Sequence, residues 1–202
     1  MEGIYFKLNK IENENPETYK CSKLLGTPVF PKDFLLNKKG ECILTDSDYY
    51  IMQLNLEDVA NRNTPLPKEG MLYFFIDVNT FEPKVLFAKN INEVPLEVWD
   101  DINDGFSLDF GETIGYEMVF DKDLDEGHYV LGEVNPDLDL ETDMDIDGYV
   151  TLLEIDFLSL PNDNMLRFGE LAISDGRYIF LIKEDDLSKL KFSKVKFIDK
   201  ED

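Results

Sequence analysis

Short β-type segments recur along this chain and limit the folds that it can adopt. Runs of four to nine residues rich in Ile, Val, Phe and Tyr are bounded by Gly, Pro, Asn or Asp, a pattern typical of strands. We predict strands at residues 4–8, 49–56, 71–78, 84–88, 117–120, 149–157, 177–183 and 194–198. Helix signals are weaker and favour short helices at residues 56–61, 96–102 and 185–190. The expected class is therefore α+β, with β-structure dominant.

Part of this pattern occurs twice in the chain. A strand, a Leu-Pro turn, a glycine and a second strand follow one another in residues 49–76 and again in residues 149–182. The offset is 101 residues at Leu54/Ile155 and 106 at Gly70/Gly176. The pattern favours internally duplicated strand–turn–strand units packed into one compact domain over residues 1–202. Repeat-like halves at about 20–92 and 127–198 would then flank an acidic connection at 93–148. Two unrelated antiparallel strand pairs would give the same pattern.

The negative charge of the chain is concentrated in one block. The 202 residues carry 43 Asp+Glu and 20 Lys+Arg, a formal net charge of −23. Residues 93–148 alone contain 19 acidic residues and a single base, Lys122. Apolar residues interrupt the block throughout, so we expect it to fold with its carboxylates pointing outward. It is either a solvated face or a binding face for a basic partner or for cations.

The overall composition excludes several classes of function. A net charge of −23 argues against a nucleic-acid backbone or an anionic membrane as partner, because like charges repel. The single histidine, His128, disfavours multi-histidine metal sites. The two cysteines, Cys21 and Cys42, form no C-x-x-C motif and are expected to pack as reduced side chains, although a bridge between them stays open. No signal peptide and no membrane-length apolar run is present, so the expected location is the cytoplasm.

Six short motifs in order resemble those of the YwqG-like family, a bacterial domain of unknown function. They are residues 23–31 (KLLGTPVFP), 51–56 (IMQLNL), 66–75 (LPKEGMLYFF), 128–132 (HYVLG), 175–182 (DGRYIFLI) and 192–193 (FS). The first motif departs from the K-x-G-G-x-P pattern of the family, because Leu25 replaces the first glycine.

The resemblance implies an α+β fold with an internal duplication and supplies no established reaction. No catalytic residue is therefore carried over to this chain. Some members of the family are encoded beside secreted toxins, which raises an immunity function as a hypothesis. The acidic block is not part of the family pattern.

The sharpest local motif resembles a calcium-binding loop. Asp143, Asp145, Asp147, Gly148 and Glu154 fit the D-x-D-x-D-G-x5-E pattern of an EF-hand. Alternate carboxylates would converge on the cation, and Glu154 would close the site. However, the sequence before the motif is not helical, and the sequence after it is a predicted strand, in which Glu154 can point away from the aspartates. A calcium site is therefore one hypothesis, with or without Glu154 as a ligand.

Other residues suggest chemistry less specifically. His128 could act as a general base beside an aspartate, or with a cysteine as a nucleophile pair, but a packed histidine is the simpler interpretation. Arg167 and Arg177 could hold an anion, and a salt bridge at a strand edge is the simpler interpretation for both.

Three functions compete at this point. The first is a non-enzymatic binding protein that takes a basic partner on the acidic block. In its specific form, this is an immunity-type protein that neutralises the partner. Its candidate partner-binding residues are Trp99, Asp100, Asp101, Asp104, Asp121, Asp123, Asp125 and Glu126. The second is a module that binds Ca²⁺ or is stabilised by it, and the third is an enzyme with an unrecognised pair of carboxylates. We rank the binding protein first, because surface charge is the most distinctive property of the chain. The oligomeric state is left open.

Overall fold

The fold is that of a computed structural model, in which residues 2–15, 18–98, 115–135, 146–159 and 176–201 are described. Within these ranges the chain is dominated by antiparallel strands. The strands are β1 (Ile4–Lys10), β2 (Lys23–Leu24), β3 (Val29–Pro31), β4 (Asp48–Asn55), β5 (Met71–Asp77), β6 (Pro83–Ala88), β7 (Leu96–Val98), β8 (Tyr116–Phe120), β9 (Tyr129–Glu133), β10 (Tyr149–Asp156), β11 (Gly176–Lys183) and β12 (Lys196–Glu201).

Helix is limited to short pieces in the described part of the chain. One α-helical turn, α1, spans Glu184–Leu187. Single 3-10 turns occupy Thr18–Lys20, Leu56–Val59, Phe157–Ser159 and Phe192–Lys194. The prediction of a β-dominated fold is therefore confirmed.

The predicted strands agree with the observed ones, and one predicted helix does not. Each of the eight predicted strands overlaps an observed strand, and short helical turns occur at 56–59 and 184–187. The helix predicted for residues 96–102 is wrong at Leu96–Val98, which form a strand that pairs with Val29–Pro31, and residues 99–102 lie outside the described ranges. A pairing partner more than sixty residues away in sequence overrides a weak local helix signal.

The chain divides into two compact units. Unit 1 comprises Met1–Lys7 and Phe120–Asp202, and unit 2 comprises Leu8–Val119. In unit 1 the strand order is β12-β11-β10-β9-β1, with antiparallel pairing throughout. In unit 2 the order is β8-β2-β4-β5-β6, again antiparallel, and β3 pairs separately with β7.

The central strands are buried on both faces, which explains why they are nearly continuous apolar runs. The six residues from Met71 to Ile76 of β5 are all buried, and so are those from Val150 to Ile155 of β10. Unit 2 contains a core of Phe30, Leu35, Leu44, Tyr50, Met71, Tyr73, Phe75, Ala88 and Ile91. In unit 1 the Tyr178 ring packs edge-on against Phe157 and Phe197, with ring centres 4.6 and 5.0 Å away. Burying aromatic groups of this size contributes about 2–3 kcal/mol each.

The main strand pair of each unit carries a β-bulge at a matching position. In β4 the pair Tyr50↔Phe75 is followed by Met52↔Phe74, which leaves Ile51 as the extra residue. In β10 the pair Thr151↔Leu181 is followed by Leu153↔Phe180, which leaves Leu152 as the extra residue. The two extra residues are 101 positions apart, the same offset that relates Leu54 to Ile155.

The strand beside each bulged strand also matches. Leu24 pairs with Met52 in unit 2, and Val130 pairs with Leu153 in unit 1. The residue after each is a leucine with positive φ, Leu25 at 55° and Leu131 at 50°. Leu25 thus occupies, with a left-handed backbone, the position where the family pattern has glycine, the residue best suited to that conformation.

Candidate functional site

The register of the unit 1 sheet places three polar side chains in one row. Tyr5 pairs with Tyr129, and Tyr129 pairs with Glu154. Side chains of directly opposed residues lie on the same face of a sheet, so these three are neighbours. The rings of Tyr5 and Tyr129 pack at a tilt of 47° with their centres 5.3 Å apart. The Tyr129 hydroxyl donates to Glu154 Oε2 at 2.7 Å and lies 3.3 Å from Thr151 Oγ1.

Glu154 is a buried carboxylate with a donor on each oxygen. Arg177 Nη1 donates to Oε1 at 3.1 Å, while the Tyr129 hydroxyl occupies Oε2. Burial raises the pKa of Glu154, and the bonds from Tyr129 and Arg177 oppose that rise. A buried carboxylate is tolerated only when it is bonded in this way. The salt bridge expected for Arg177 is therefore present, and it links β10 to β11. Arg167 lies outside the described residues.

Two glycines make room for the Tyr129 ring. A Cβ on Gly132 would lie 2.5 Å from Tyr129 Cε2, and a Cβ on Gly3 would lie 3.1 Å from Tyr129 Cδ2. Gly132 closes the 128–132 segment noted in the sequence. The role of Gly132 is steric, because a side chain at this position would displace the Tyr129 ring that bonds to Glu154.

A loop of acidic residues lies next to this row. Residues 121–126, which we name the acidic loop, connect β8 to β9 and contain Asp121, Asp123, Asp125 and Glu126. The Asp121 N–H donates to the Tyr5 carbonyl at 3.3 Å, and the Asp123 N–H donates to Asp121 Oδ1 at 3.1 Å. The backbone at the start of the acidic loop is thus fixed beside Tyr5. The side chains of Asp123, Asp125 and Glu126 are exposed.

The Tyr5 side chain is half-buried in a negative electrostatic environment. Its pKa is raised by burial and by the charges of Glu154, Asp125 and Glu2. Lys7 lies two residues after Tyr5 on β1, and its Nζ is 3.9 Å from Asp121 Oδ2. An exposed ion pair at this distance contributes little to stability. We name the set of Tyr5, Glu2 and the acidic loop the Tyr5 surface. It combines a half-buried aromatic ring with an adjoining loop of exposed carboxylates, two features that can attract a cationic group.

His128 is held as a buried neutral ring. Its Nδ1 accepts a hydrogen bond from the Asp156 N–H at 3.1 Å, and its ring stacks on Phe6 with centres 5.4 Å apart. Burial lowers the pKa of His128 to about 4, although Asp156 and Ser159 oppose the shift. The Ser159 hydroxyl donates to Asp156 Oδ2 at 2.7 Å. These contacts are those of a packed histidine, the simpler of the two interpretations of the sequence.

Both cysteines are free thiols. Cys21 Sγ lies 2.9 Å from the Thr18 carbonyl oxygen, to which it donates. Burial raises the pKa of Cys21 to about 11, so the protonated thiol dominates at neutral pH. A nucleophilic role requires the thiolate, and this environment disfavours it.

The proposed calcium ligands are only partly within the described residues. Asp143 and Asp145 lie outside them. Asp147 stands in the turn before β10, and Glu154 is the sixth residue of that strand. An extended chain of this length separates the two by about 15–20 Å. The structure therefore does not bring Asp147 and Glu154 together, and within the described ranges no group of three His, Cys, Asp or Glu side chains is placed to hold a metal ion.

The proposed partner-binding residues divide in the same way. Trp99, Asp100, Asp101 and Asp104 lie outside the described residues. Asp121, Asp123, Asp125 and Glu126 come together on the acidic loop. Tyr5 and Tyr129 were not predicted as site residues. In β1, Tyr5 and Lys7 alternate with buried Ile4 and Phe6, so Tyr5 and Lys7 lie on the opposite face of the strand. This alternation could have identified Tyr5 from the sequence.

These features define a β-sheet protein with an acidic surface beside a tyrosine. Residues 22–199 match the family described as Domain of unknown function (DUF1963), and the chain belongs to that family. No curated protein gives a significant match. Among the described residues, no helix has the length and hydropathy needed to span a membrane.

Proposed function

We propose that the protein is a non-enzymatic binding protein that takes a basic partner on the Tyr5 surface. The observation that carries this proposal is the half-buried Tyr5 ring beside the acidic loop, which is hydrogen-bonded to the Tyr5 backbone and exposes three carboxylates. An arginine or lysine of the partner would lie on the ring and bond to the exposed carboxylates. In its specific form, the proposal is an immunity-type protein of the cytoplasm that neutralises a basic toxin, as the YwqG-like resemblance suggests.

Charge would act at two ranges in such a complex. The net charge of −23 steers a basic partner toward the chain from a distance and speeds association. The Tyr5 surface would then supply short-range specificity, because an aromatic ring among carboxylates discriminates cationic side chains from neutral ones. The affinity should fall as salt rises.

The experiment uses an arginine-rich synthetic peptide as the probe and fluorescence anisotropy as the readout. The variant Asp123→Asn/Asp125→Asn/Glu126→Gln should bind it about tenfold more weakly than the wild type, a loss of about 1.4 kcal/mol. The control Asp46→Asn/Glu69→Gln/Glu82→Gln removes the same charge from exposed positions of unit 2 and should cost clearly less. Equal losses in both variants would mean diffuse attraction and would contradict a site at Tyr5.

The ring of Tyr5 is tested separately from the charges. Tyr5→Leu should weaken peptide binding about two- to fivefold, and Tyr5→Phe should leave it unchanged, since the ring supplies the cation–π contact. Thermal unfolding of both variants checks that the sheet is intact. If Tyr5→Leu binds as the wild type does, the tyrosine is not part of the site.

We also infer that the two units arose by duplication of one strand–turn–strand unit. This inference is supported by the matched bulges of β4 and β10 and by the left-handed Leu25 and Leu131. A further match lies in hydrogen bonding, since Ser22 Oγ accepts from the Asn55 N–H as His128 Nδ1 accepts from the Asp156 N–H. The calcium hypothesis stays a prediction in the form that uses Asp143, Asp145 and Asp147. The enzyme hypothesis stays a prediction without assigned residues.

A further inference from the structure

Unit 2 contains a lysine whose side chain is fully buried. Lys23 lies on β2, between β4 and β8, and its side chain is 0% exposed. Its ammonium group is 2.9 Å from Glu14 Oε2 and 5.6 Å from the centre of the Tyr19 ring. Removing a charge from water is costly, so a lysine in this position needs a negatively charged partner. Glu14 provides it.

The Glu14 carboxylate occupies a slot that two glycines create. A Cβ added to Gly26 would lie 2.0 Å from Glu14 Oε1, and one added to Gly115 would lie 2.6 Å from the same atom. Both distances are impossible, so the carboxylate fits only because both positions lack a side chain. Oε1 accepts a hydrogen bond from the Thr27 N–H at 3.0 Å. The positive φ of Leu25 and Gly26, 55° and 74°, shapes the turn that presents this N–H.

The two donors come from β2 and from the turn that follows it, whereas the carboxylate comes from an earlier segment of the chain. Lys23 is fixed by pairing with Gln53 and Glu117. Glu14 lies in a connection outside the strands, and its side chain is 18% exposed. The Glu14 side chain therefore reaches buried Lys23 from a separate segment and is itself partly open to solvent. An ammonium, a backbone N–H and a narrow gap suit a flat carboxylate better than a wider tetrahedral phosphate.

We propose that Lys23, the Thr27 N–H and the gap between Gly26 and Gly115 form a carboxylate-binding site, which the chain fills with its own Glu14. A free carboxylate takes the same donors when Glu14 is removed. The site is independent of the Tyr5 surface, because it takes the opposite charge and uses other residues. It also assigns a role to the first family motif, in which Lys23 and Gly26 are the lysine and the second glycine.

The test removes the internal competitor and supplies an external one. Glu14→Ala should lower the midpoint of thermal unfolding, because the Lys23 ammonium is left buried without a partner. Sodium acetate at about 100 mM should raise that midpoint by about 3 °C relative to sodium chloride at equal concentration. In the wild type, acetate should act no differently from chloride, since Glu14 already holds the donors at a high effective concentration.

The double variant Glu14→Ala/Lys23→Met separates binding at this slot from other effects of acetate. It lacks the ammonium, so acetate should give it no advantage over chloride. If Glu14→Ala does not fold in chloride, acetate should restore its folded circular dichroism spectrum, and the double variant should not respond. Acetate that acts no better than chloride on Glu14→Ala, or equally well on the wild type or the double variant, would overturn the proposal. Sodium phosphate that acts as well as acetate would overturn the preference for a carboxylate.

Discussion

Single residues show one distinctive property of this protein, the burial of polar side chains in strands or next to them. Lys23, Gln53, His128, Thr151 and Glu154 are all buried. Gln53 illustrates how such a group is satisfied, because its Nε2 donates to the carbonyl oxygens of Tyr19 and Cys21 at 2.7 and 2.9 Å. Buried polar groups are costly without partners, so each one requires its contacts to form together.

His128 leads to a prediction about pH. Burial lowers its pKa in the folded protein to about 4, below the ordinary value of about 6.5. Between these values the unfolded chain binds the proton more readily, so the free energy of unfolding falls as the pH is lowered from about 6.5 to about 4. The full effect is about 3 kcal/mol. His128→Gln cannot titrate, and its amide oxygen can accept the bond from the Asp156 N–H.

Urea unfolding of both proteins across this pH window checks the prediction. The difference between their free energies of unfolding should shift by up to about 3 kcal/mol in favour of the glutamine variant as the pH falls. The carboxylates common to both proteins cancel in that difference. Parallel pH profiles would show that His128 is not buried in its neutral form.

At the scale of elements, sequence signals located the long strands well and the short ones poorly. Segments such as 71–76 and 178–182 are apolar throughout, and burial on both faces follows from that property. The two-residue strand Lys23–Leu24 and the three-residue strands Val29–Pro31 and Leu96–Val98 exist only through pairing with distant segments. Strands this short carry too little local pattern to be predicted.

The end of helix α1 leads to a prediction about stability. Leu190 lies just after the helix and has a left-handed backbone, with a φ of 53°. Glycine is the preferred residue at this position after a helix. Its side chain is 39% exposed, so little packing would be lost by its removal. Leu190→Gly should therefore raise the free energy of unfolding by about 1 kcal/mol, because the strain of the left-handed backbone disappears.

Leu36 provides the matched control for this substitution. It is 41% exposed and is not among the described residues with positive φ. Leu36→Gly should therefore lower the free energy of unfolding, because glycine loses more conformational entropy on folding than leucine does. Urea unfolding of the two variants beside the wild type measures both effects. If the two substitutions lower the stability equally, the backbone at Leu190 is not strained.

At the scale of the whole molecule, the dominant property is the charge of −23. Self-repulsion of this size opposes the compact state, and dissolved ions screen it over about 10 Å at 0.1 M salt. The binding function proposed for the Tyr5 surface uses the same charge, so salt should act in opposite directions on the free protein and on its complex.

This leads to a prediction about ionic strength. The midpoint of thermal unfolding of the free protein should rise by several degrees between about 0.01 and 0.3 M sodium chloride, because screening relieves the repulsion. Scanning calorimetry measures the rise, and the arginine-rich peptide should bind more weakly over the same range. Chloride is the suitable anion, since sulfate stabilises folded proteins by a different route. An unfolding midpoint that does not change with salt would mean that the carboxylates repel one another too weakly to matter.

Residue types and their order along the chain were enough to predict the β-dominated class, the positions of the long strands, the uneven charge and the family motifs. These depend on residue type and near neighbours along the chain, which local propensity and hydrophobic pattern encode. The folded structure was needed to show that Tyr5, Tyr129 and Glu154 share one row, and that Glu14 enters a slot beside Lys23. Those juxtapositions depend on strand register, and a shift of one residue would move every side chain of the strand to the other face. Register is set by pairing between distant segments, so no local pattern in this chain contains it.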